Sequence, residues 1–366
     1  MKFKLIKLVN RYFDSTGIYD KYIVYWDAGI LHVRNKETLE EEYSFKNTLG
    51  GSIYKDFLFI AEQDFTESVF DLLKQKVVKK HEVYFDNTYR ISRMHIGKFY
   101  ACTVQIDEES EPYFFKYDLN LNKVIYKGPA NYPAWLALDE NYYLSWYYIE
   151  EYKPQGILKI NALKNSIVWK FTCSELGPYL DVSNLIKPPV WQERRFYKMY
   201  YVEGCIFAII SKGIVALDPE TGKQLWWIDF NTTERGTVFF DFQPYSLSFA
   251  DGKIYSRDWH EFLSVSMATG EILLRKEYIG FEVSGKVVEN TKNSGLKIHN
   301  GKGYFVLDVD AELYLVSMNL ETAEVKIETE LPDVKDQVHA EDIYFEGNRM
   351  YLRDCASFLY VYEVTD

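Results

Sequence analysis

Short runs of alternating or continuous apolar residues recur along the whole chain, each closed by turn chemistry. The clearest lies in residues 212–230, KGIVALDPETGKQLWWIDF. Ile214-Val215-Ala216-Leu217 has strand character, Asp218 to Gly222 has turn character, and Gln224 to Ile228 is a second strand-like run. Two such runs joined by a Gly-containing turn predict a hairpin. The pattern returns in HEFLSVSMATGEILLRKEY from His260 and in AELYLVSMNLETAEVKIET from Ala311. Looser copies start at Gly29, Pro112 and Gly156. The copy from Ser68 is the weakest, and a helix stays open there. An eighth copy, from Ser357, reaches the last residue without its second arm. Further arms precede several of these units, as in residues 97–104, 252–258, 301–308 and 347–354.

The first apolar residues of the units are Ile30, Val69, Phe114, Ile157, Ile214, Phe262, Leu313 and Phe358, spaced 39 to 57 residues apart. A four-stranded propeller blade takes about 40–50 residues. A lone blade cannot bury both faces of its sheet, whereas repeated blades cover one another. The pattern therefore predicts an all-β fold, an eight-bladed β-propeller of four-stranded antiparallel blades in a single domain, residues 1–366. Seven blades is the alternative if the Ser68 unit is misread. The last unit lacks an outer strand and Phe3 to Val9 is a spare one, so the N-terminal strand is expected to join the C-terminal blade. Such closure removes two exposed sheet edges.

The run Ala216-Leu217-Asp218-Pro219-Glu220-Thr221-Gly222-Lys223-Gln224-Leu225-Trp226 resembles the A-L-D-x-x-T-G-K-x-x-W repeat of the quinoprotein-like (PQQ-like) propellers. The match is partial at Ala268 to Glu271 and at Glu321 to Glu324. The resemblance implies roles for Asp218 and Thr221 in the turn, a positive φ at Gly222, and Trp226 as a wedge between blades. In the family's enzymes a quinone cofactor and calcium sit on the propeller axis, often beside a disulfide between adjacent cysteines. This chain has no adjacent cysteines and no assignable calcium set, so neither a cofactor nor a metal is expected, and a quinone-dependent dehydrogenase is the least favoured reading. Non-catalytic relatives act as scaffolds and partner-binding proteins, including an assembly factor for outer-membrane proteins.

Composition narrows the functional classes. The 366 residues include 31 Tyr, 24 Phe and 8 Trp, and the formal net charge is −12. Aromatics on this scale suit a packed chain rather than a disordered one. The acidic balance excludes a general nucleic-acid binder, since phosphate contacts need Lys and Arg. No window approaches the roughly 20 apolar residues of a membrane helix. Lys4 and Lys7 interrupt the apolar start, so no signal peptide is expected. Cys102, Cys173, Cys205 and Cys355 are far apart and suit free thiols in a cytoplasmic, bacterial protein.

Catalytic motifs are missing. His32, His81, His95, His260, His299 and His339 form no ligand spacing, and no GxSxG, P-loop or GxGxxG occurs. Asp27, Asp258, Asp308, Asp310 and Asp354 recur before second arms and read as turn caps. Arg257-Asp258 and Arg353-Asp354 read as repeated turn pairs, with a charged channel mouth as the functional alternative. The long interval after Ile157 contains an insertion loop, residues 173–198. Its Trp191, Arg194, Arg195 and Phe196 are residue types enriched at interfaces, and they are the candidates for partner contact together with Trp259 and Asp258. Plain packing of the loop is the structural alternative. Tyr142, Tyr143, Trp146, Tyr147 and Tyr148 keep a sugar-binding surface open.

These features together point to a non-enzymatic, protein-binding propeller with a basic protein partner, in one form an immunity protein that neutralises a toxin domain. The alternative is a carbohydrate-active enzyme or lectin with a small-molecule or sugar ligand at the axis.

Overall fold

The computed structural model describes residues 2–9, 17–64, 66–82, 90–96, 99–105, 113–118, 123–129, 136–148, 154–181, 190–230, 246–257, 261–277, 281–283, 286–288, 295–309, 312–331, 334, 340–354 and 358–365. The chain is an all-β propeller with four-stranded antiparallel blades. Among the described residues, eight sheets have four strands. Seven are built from consecutive strands, in residues 17–46, 48–82, 90–129, 136–172, 196–229, 248–277 and 297–330. In the eighth, Ala340–Glu346, Arg349–Asp354 and Leu359–Thr365 are joined by Lys2–Val9 as the last strand. The N-terminal strand thus completes the C-terminal sheet. The Ser68 region, where a helix stood open, is the strand Thr66–Asp71.

Burial changes systematically across a sheet. In the 196–229 sheet, every residue of Gly213–Leu217 is buried and Cys205–Ile210 is buried but for its first residue. The fourth strand of the 248–277 sheet, Ile272–Glu277, is exposed at Ile272 and Leu273 and alternates half-buried and exposed positions from there. Inner strands covered on both faces read as continuous apolar runs, and the outer strand reads as an alternation.

The chain forms two compact units. One comprises Met1–Ile6, Trp135–Cys355 and Val361–Asp366, the other Lys7–Ala134 and Ala356–Tyr360. Within the first, each apolar cluster draws on two successive sheets. Ile157, Trp169 and Phe171 pack with Met199, Ile206 and Val215. Phe207, Ile214 and Trp226 pack with Ile254, Leu263 and Val265. Tyr255 and Phe262 pack with Phe305, Tyr314 and Met318. Within the second unit, Val24, Leu31 and Val33 pack with Ile53, Leu58 and Phe70.

The turn before each outer strand is built the same way in six sheets. Asn35, Asp71, Asn161, Asp218 and Asn319 each accept backbone N–H bonds on the side-chain oxygen from the second and third residues following. Ser266 accepts one from Thr269 at 3.3 Å. Four residues beyond each acceptor the backbone turns to positive φ, at Leu39, Gln75, Asn165, Gly222, Gly270 and Ala323. The side-chain acceptor substitutes for a backbone one and fixes the turn.

Asp218 Oδ1 accepts from the Glu220 and Thr221 amides and from the Thr221 hydroxyl at 2.9 Å. The Gly222 amide returns to the Asp218 carbonyl at 2.8 Å, with φ at +70°. Trp226 is buried, and its indole N–H donates to the Met267 carbonyl of the following sheet at 2.9 Å. Trp169 repeats this one sheet earlier, donating to the Pro219 carbonyl at 3.0 Å. Ion pairs also join successive sheets. Lys159, almost wholly buried, holds Glu220 at 3.1 Å, and Lys253 holds Glu321 at 2.8 Å.

Candidate functional site

The insertion after the 136–172 sheet is a folded device. Cys173–Leu176 form one turn of 3-10 helix, with the Thr172 amide donating to Glu175 Oε1 at 3.1 Å. Gly177, at φ +74°, redirects the chain. Tyr179–Asp181 then pairs antiparallel with Val190–Gln192, setting Leu180 opposite Trp191. Residues 182–189, which include Pro188-Pro189, lie outside the described residues.

Arg194 anchors this hairpin. Its guanidinium donates to the Gly177 carbonyl at 3.0 Å, to the Ser211 carbonyl at 2.6 Å and to Asp229 Oδ2 at 2.6 Å. It also stands over the Trp227 ring, 4.9 Å from the centroid, and near the Tyr179 ring at 5.8 Å. One side chain thereby ties the insertion to the turn at Ser211 and to the outer strand Gln224–Asp229 of the 196–229 sheet. The next residue continues the join, since the Arg195 amide donates to Ser211 Oγ and the Ser211 amide to the Arg195 carbonyl, both at 2.9 Å. Phe196 stacks on Trp146 with 6.4 Å between centroids.

Arg194 and Phe196 are therefore interior, at 1% and 3% exposure. The expectation that they meet a partner is corrected: a guanidinium with three acceptors and two ring contacts is fully engaged inside the fold. Arg195 is half-buried. Trp191 is different, with 60% of its surface open to solvent beside the equally open Val190. Tyr197, a few residues on, is also exposed. Asp258 and Trp259 lie outside the described residues.

Polar groups stiffen the same hairpin. The Tyr179 hydroxyl donates to Gln192 Oε1 at 3.3 Å, and Gln192 Nε2 donates to Asp181 Oδ2 at 2.8 Å. Burial pushes the Tyr179 phenol above its ordinary pKa, with further upward pressure from Tyr197 and Asp181. Trp191 thus projects from a rigid base, an arrangement that lowers the entropy cost of using it in recognition.

Other singled-out residues are structural. His32 Nδ1 meets Glu41 Oε2 at 2.5 Å, and its ring stacks on Tyr25. His299 stacks on Phe345 at 4.7 Å, and burial lowers its pKa. Arg257 is buried with its guanidinium 3.8 Å from the centre of the Phe305 ring, and Asp354 is fully buried. Of the aromatic run at Tyr142–Tyr148, Tyr143 is core and Tyr142 carries the Lys159 ammonium at 4.5 Å. Cys173 is buried, and desolvation raises its thiol to about 12. Among the described residues no three His, Cys, Asp or Glu side chains gather closely enough to hold a metal ion. No helix among them is long and apolar enough to cross a membrane.

One feature has no counterpart in the sequence reading: a tyrosine-lined cleft between the 17–46 and 48–82 sheets. Its residues come from three turns far apart in the chain, so no local motif announces it.

The fold is that of a β-propeller, and the turn from Asp218 to Gly222 resembles the repeat turn of quinoprotein-like propellers. No protein-family model matches the chain, and no curated protein matches it in sequence. Solved structures match it in shape. BamB from Moraxella catarrhalis is 12% identical with a TM-score of 0.61, over 99% of this chain and 100% of that one. Saccharomyces cerevisiae Sqt1 is 10% identical with a TM-score of 0.64, over the full length of both. The quinohemoprotein alcohol dehydrogenase from Comamonas testosteroni is 11% identical with a TM-score of 0.58, over 99% of this chain and 76% of that one. At such identities the likeness is one of fold.

Proposed function

We propose that the chain is a non-enzymatic protein-binding propeller, each of the eight four-stranded sheets among its described residues being one blade. The observation that carries this reading is Trp191, exposed on a hairpin that the buried Arg194 locks to the scaffold. Exposed aromatics on rigid supports are the residues that dominate interface energetics. The net charge of −12 favours a basic partner, through steering and complementarity. One form of such a partner is a basic toxin domain, with this chain as its cytoplasmic immunity protein.

The test is capture from a native lysate of the source cells on immobilised wild-type and Trp191→Ala protein. A basic protein retained by the wild type, released by salt and lost in the variant supports the reading. Retention of nothing, or equal retention by both, overturns it.

A further inference from the structure

The cleft between the 17–46 and 48–82 sheets has a volume of about 360 Å³. That lies inside the range of roughly 300–1,000 Å³ for ligand pockets. Tyr19 and Tyr22 line it from one turn and Tyr54 from another, above the buried Ile53 and Leu72. The turns are fixed in place. The Tyr19 amide donates to the Tyr22 carbonyl at 2.8 Å, and the Leu72 amide to the Asp56 carbonyl at 2.9 Å. The buried Lys36 ammonium donates to the Tyr19 carbonyl at 2.7 Å.

Aromatic faces carry negative electrostatic potential and attract cations, most strongly where several converge. One ring here already does so, since Lys55 Nζ stands 5.3 Å from the centre of the Tyr54 ring. Asp20 and Asp56 lie on the rim, offset by Lys21 and Lys55. Attraction must therefore come from the ring faces and the local field rather than from net charge. The Tyr22 phenol is held above its ordinary pKa by burial, then by Glu42, Tyr43 and Asp56. An unbranched aliphatic stem would lie along Ile53 and Leu72 while its charged head met the rings, as amphipathic lysine side chains do elsewhere.

We infer that this cleft binds an alkylammonium group, presented as a lysine side chain by the partner protein, with Tyr22 and Tyr54 as its seat and Lys55 as the resident competitor. The inference rests on the protein-binding reading only for the source of the cation. A free alkylammonium tests the cleft by itself.

The experiment titrates n-butylammonium chloride into the full chain at low salt, followed by NMR and calorimetry. Saturable binding is expected, weakened at least about tenfold in Tyr22→Leu and Tyr54→Leu, because leucine keeps apolar bulk and loses the ring face. Tyr54→Phe retains it, and Lys55→Ala, at an exposed position, tightens it several-fold by freeing the Tyr54 face. Absence of saturable binding in both wild type and Lys55→Ala overturns the inference whatever the tyrosine variants do to folding. A second arm compares a lysine-containing peptide with its norleucine counterpart. Equal binding of the two removes the lysine assignment. Butylammonium binding without any captured protein sinks the partner reading and leaves the cleft standing.

Discussion

The Trp226 ring lies flat against Gly270 of the following sheet, so close that a β-carbon there would fall 2.7 Å from the indole. Gly270 also has φ +73°. The tryptophan and the glycine thus specify each other across an inter-sheet boundary, and Trp169 with Gly222 repeats the arrangement. Gly270→Ala is expected to cost about 2–4 kcal/mol, from a left-handed alanine and from overpacking. Urea denaturation followed by tryptophan fluorescence measures it. A midpoint equal to that of wild type would show that the indole moves aside freely.

Arg194→Ala removes a guanidinium that serves three oxygen acceptors. Asp229 is partly open to water, so the expected loss is about 2–3 kcal/mol rather than that of a sealed ion pair. Amide exchange should quicken at Tyr179–Asp181 and Val190–Gln192 before it does anywhere in the 196–229 sheet. Arg194→Lys is expected to fail as a replacement, because an ammonium cannot span the same fork of acceptors.

Trp191→Ala should leave stability within about 0.5 kcal/mol of wild type, as for an exposed position. Affinity for the protein partner should drop about thirtyfold, the loss of a hot spot near 2 kcal/mol. Calorimetric melting and a binding titration on the same sample separate the two effects.

Asp218 is held below the usual carboxylate range, first by the Thr221 hydroxyl and then by the Thr221 amide. Asp71 is lowered by Lys74, and Asp64 by Thr66 and Lys80. A depressed folded-state pKa stabilises above the unfolded value near 3.9 and is lost as pH falls through the folded value. Stability should therefore decline below about pH 4. Asp218→Asn keeps the turn, as Asn35, Asn161 and Asn319 do, and should flatten part of that decline. Denaturant titrations between pH 2 and 7 read both effects. An unchanged acid limb in the variant would exclude Asp218 as a contributor.

Cys173, with its thiol raised to about 12, should resist alkylation by iodoacetamide at pH 8 in the native protein. It should react fully in denaturant. Peptide mapping by mass spectrometry identifies the residue modified.

The propeller was legible because burial on both faces forces long apolar runs and turns at regular spacing. The repeat signature was legible in one unit and faint elsewhere. The structure shows why. The turn needs only a side-chain acceptor at its first position and a residue that tolerates positive φ four places on. Asn35 with Leu39, Asp71 with Gln75 and Asn161 with Asn165 satisfy both without a glycine. The interface candidates divided for a different reason. Tryptophan and arginine are favoured at protein contacts, and the same side chains make good interior clamps. Composition alone could not tell exposed Trp191 from buried Arg194. The tyrosine cleft was illegible because its walls meet only after two sheets pack together.

Lys2–Val9 has its place beside Leu359–Thr365, nearly the whole length of the chain away. During synthesis Lys2–Val9 emerges long before its neighbour exists, and until residues 359–365 are made the sheet can hold only Ala340–Glu346 and Arg349–Asp354. That pairing closes a very long loop, so it comes late and costs much closure entropy. Until then an unpaired strand and an open sheet edge are both available to other chains. The pairing of Lys2–Val9 with Leu359–Thr365 is therefore the step most exposed to aggregation.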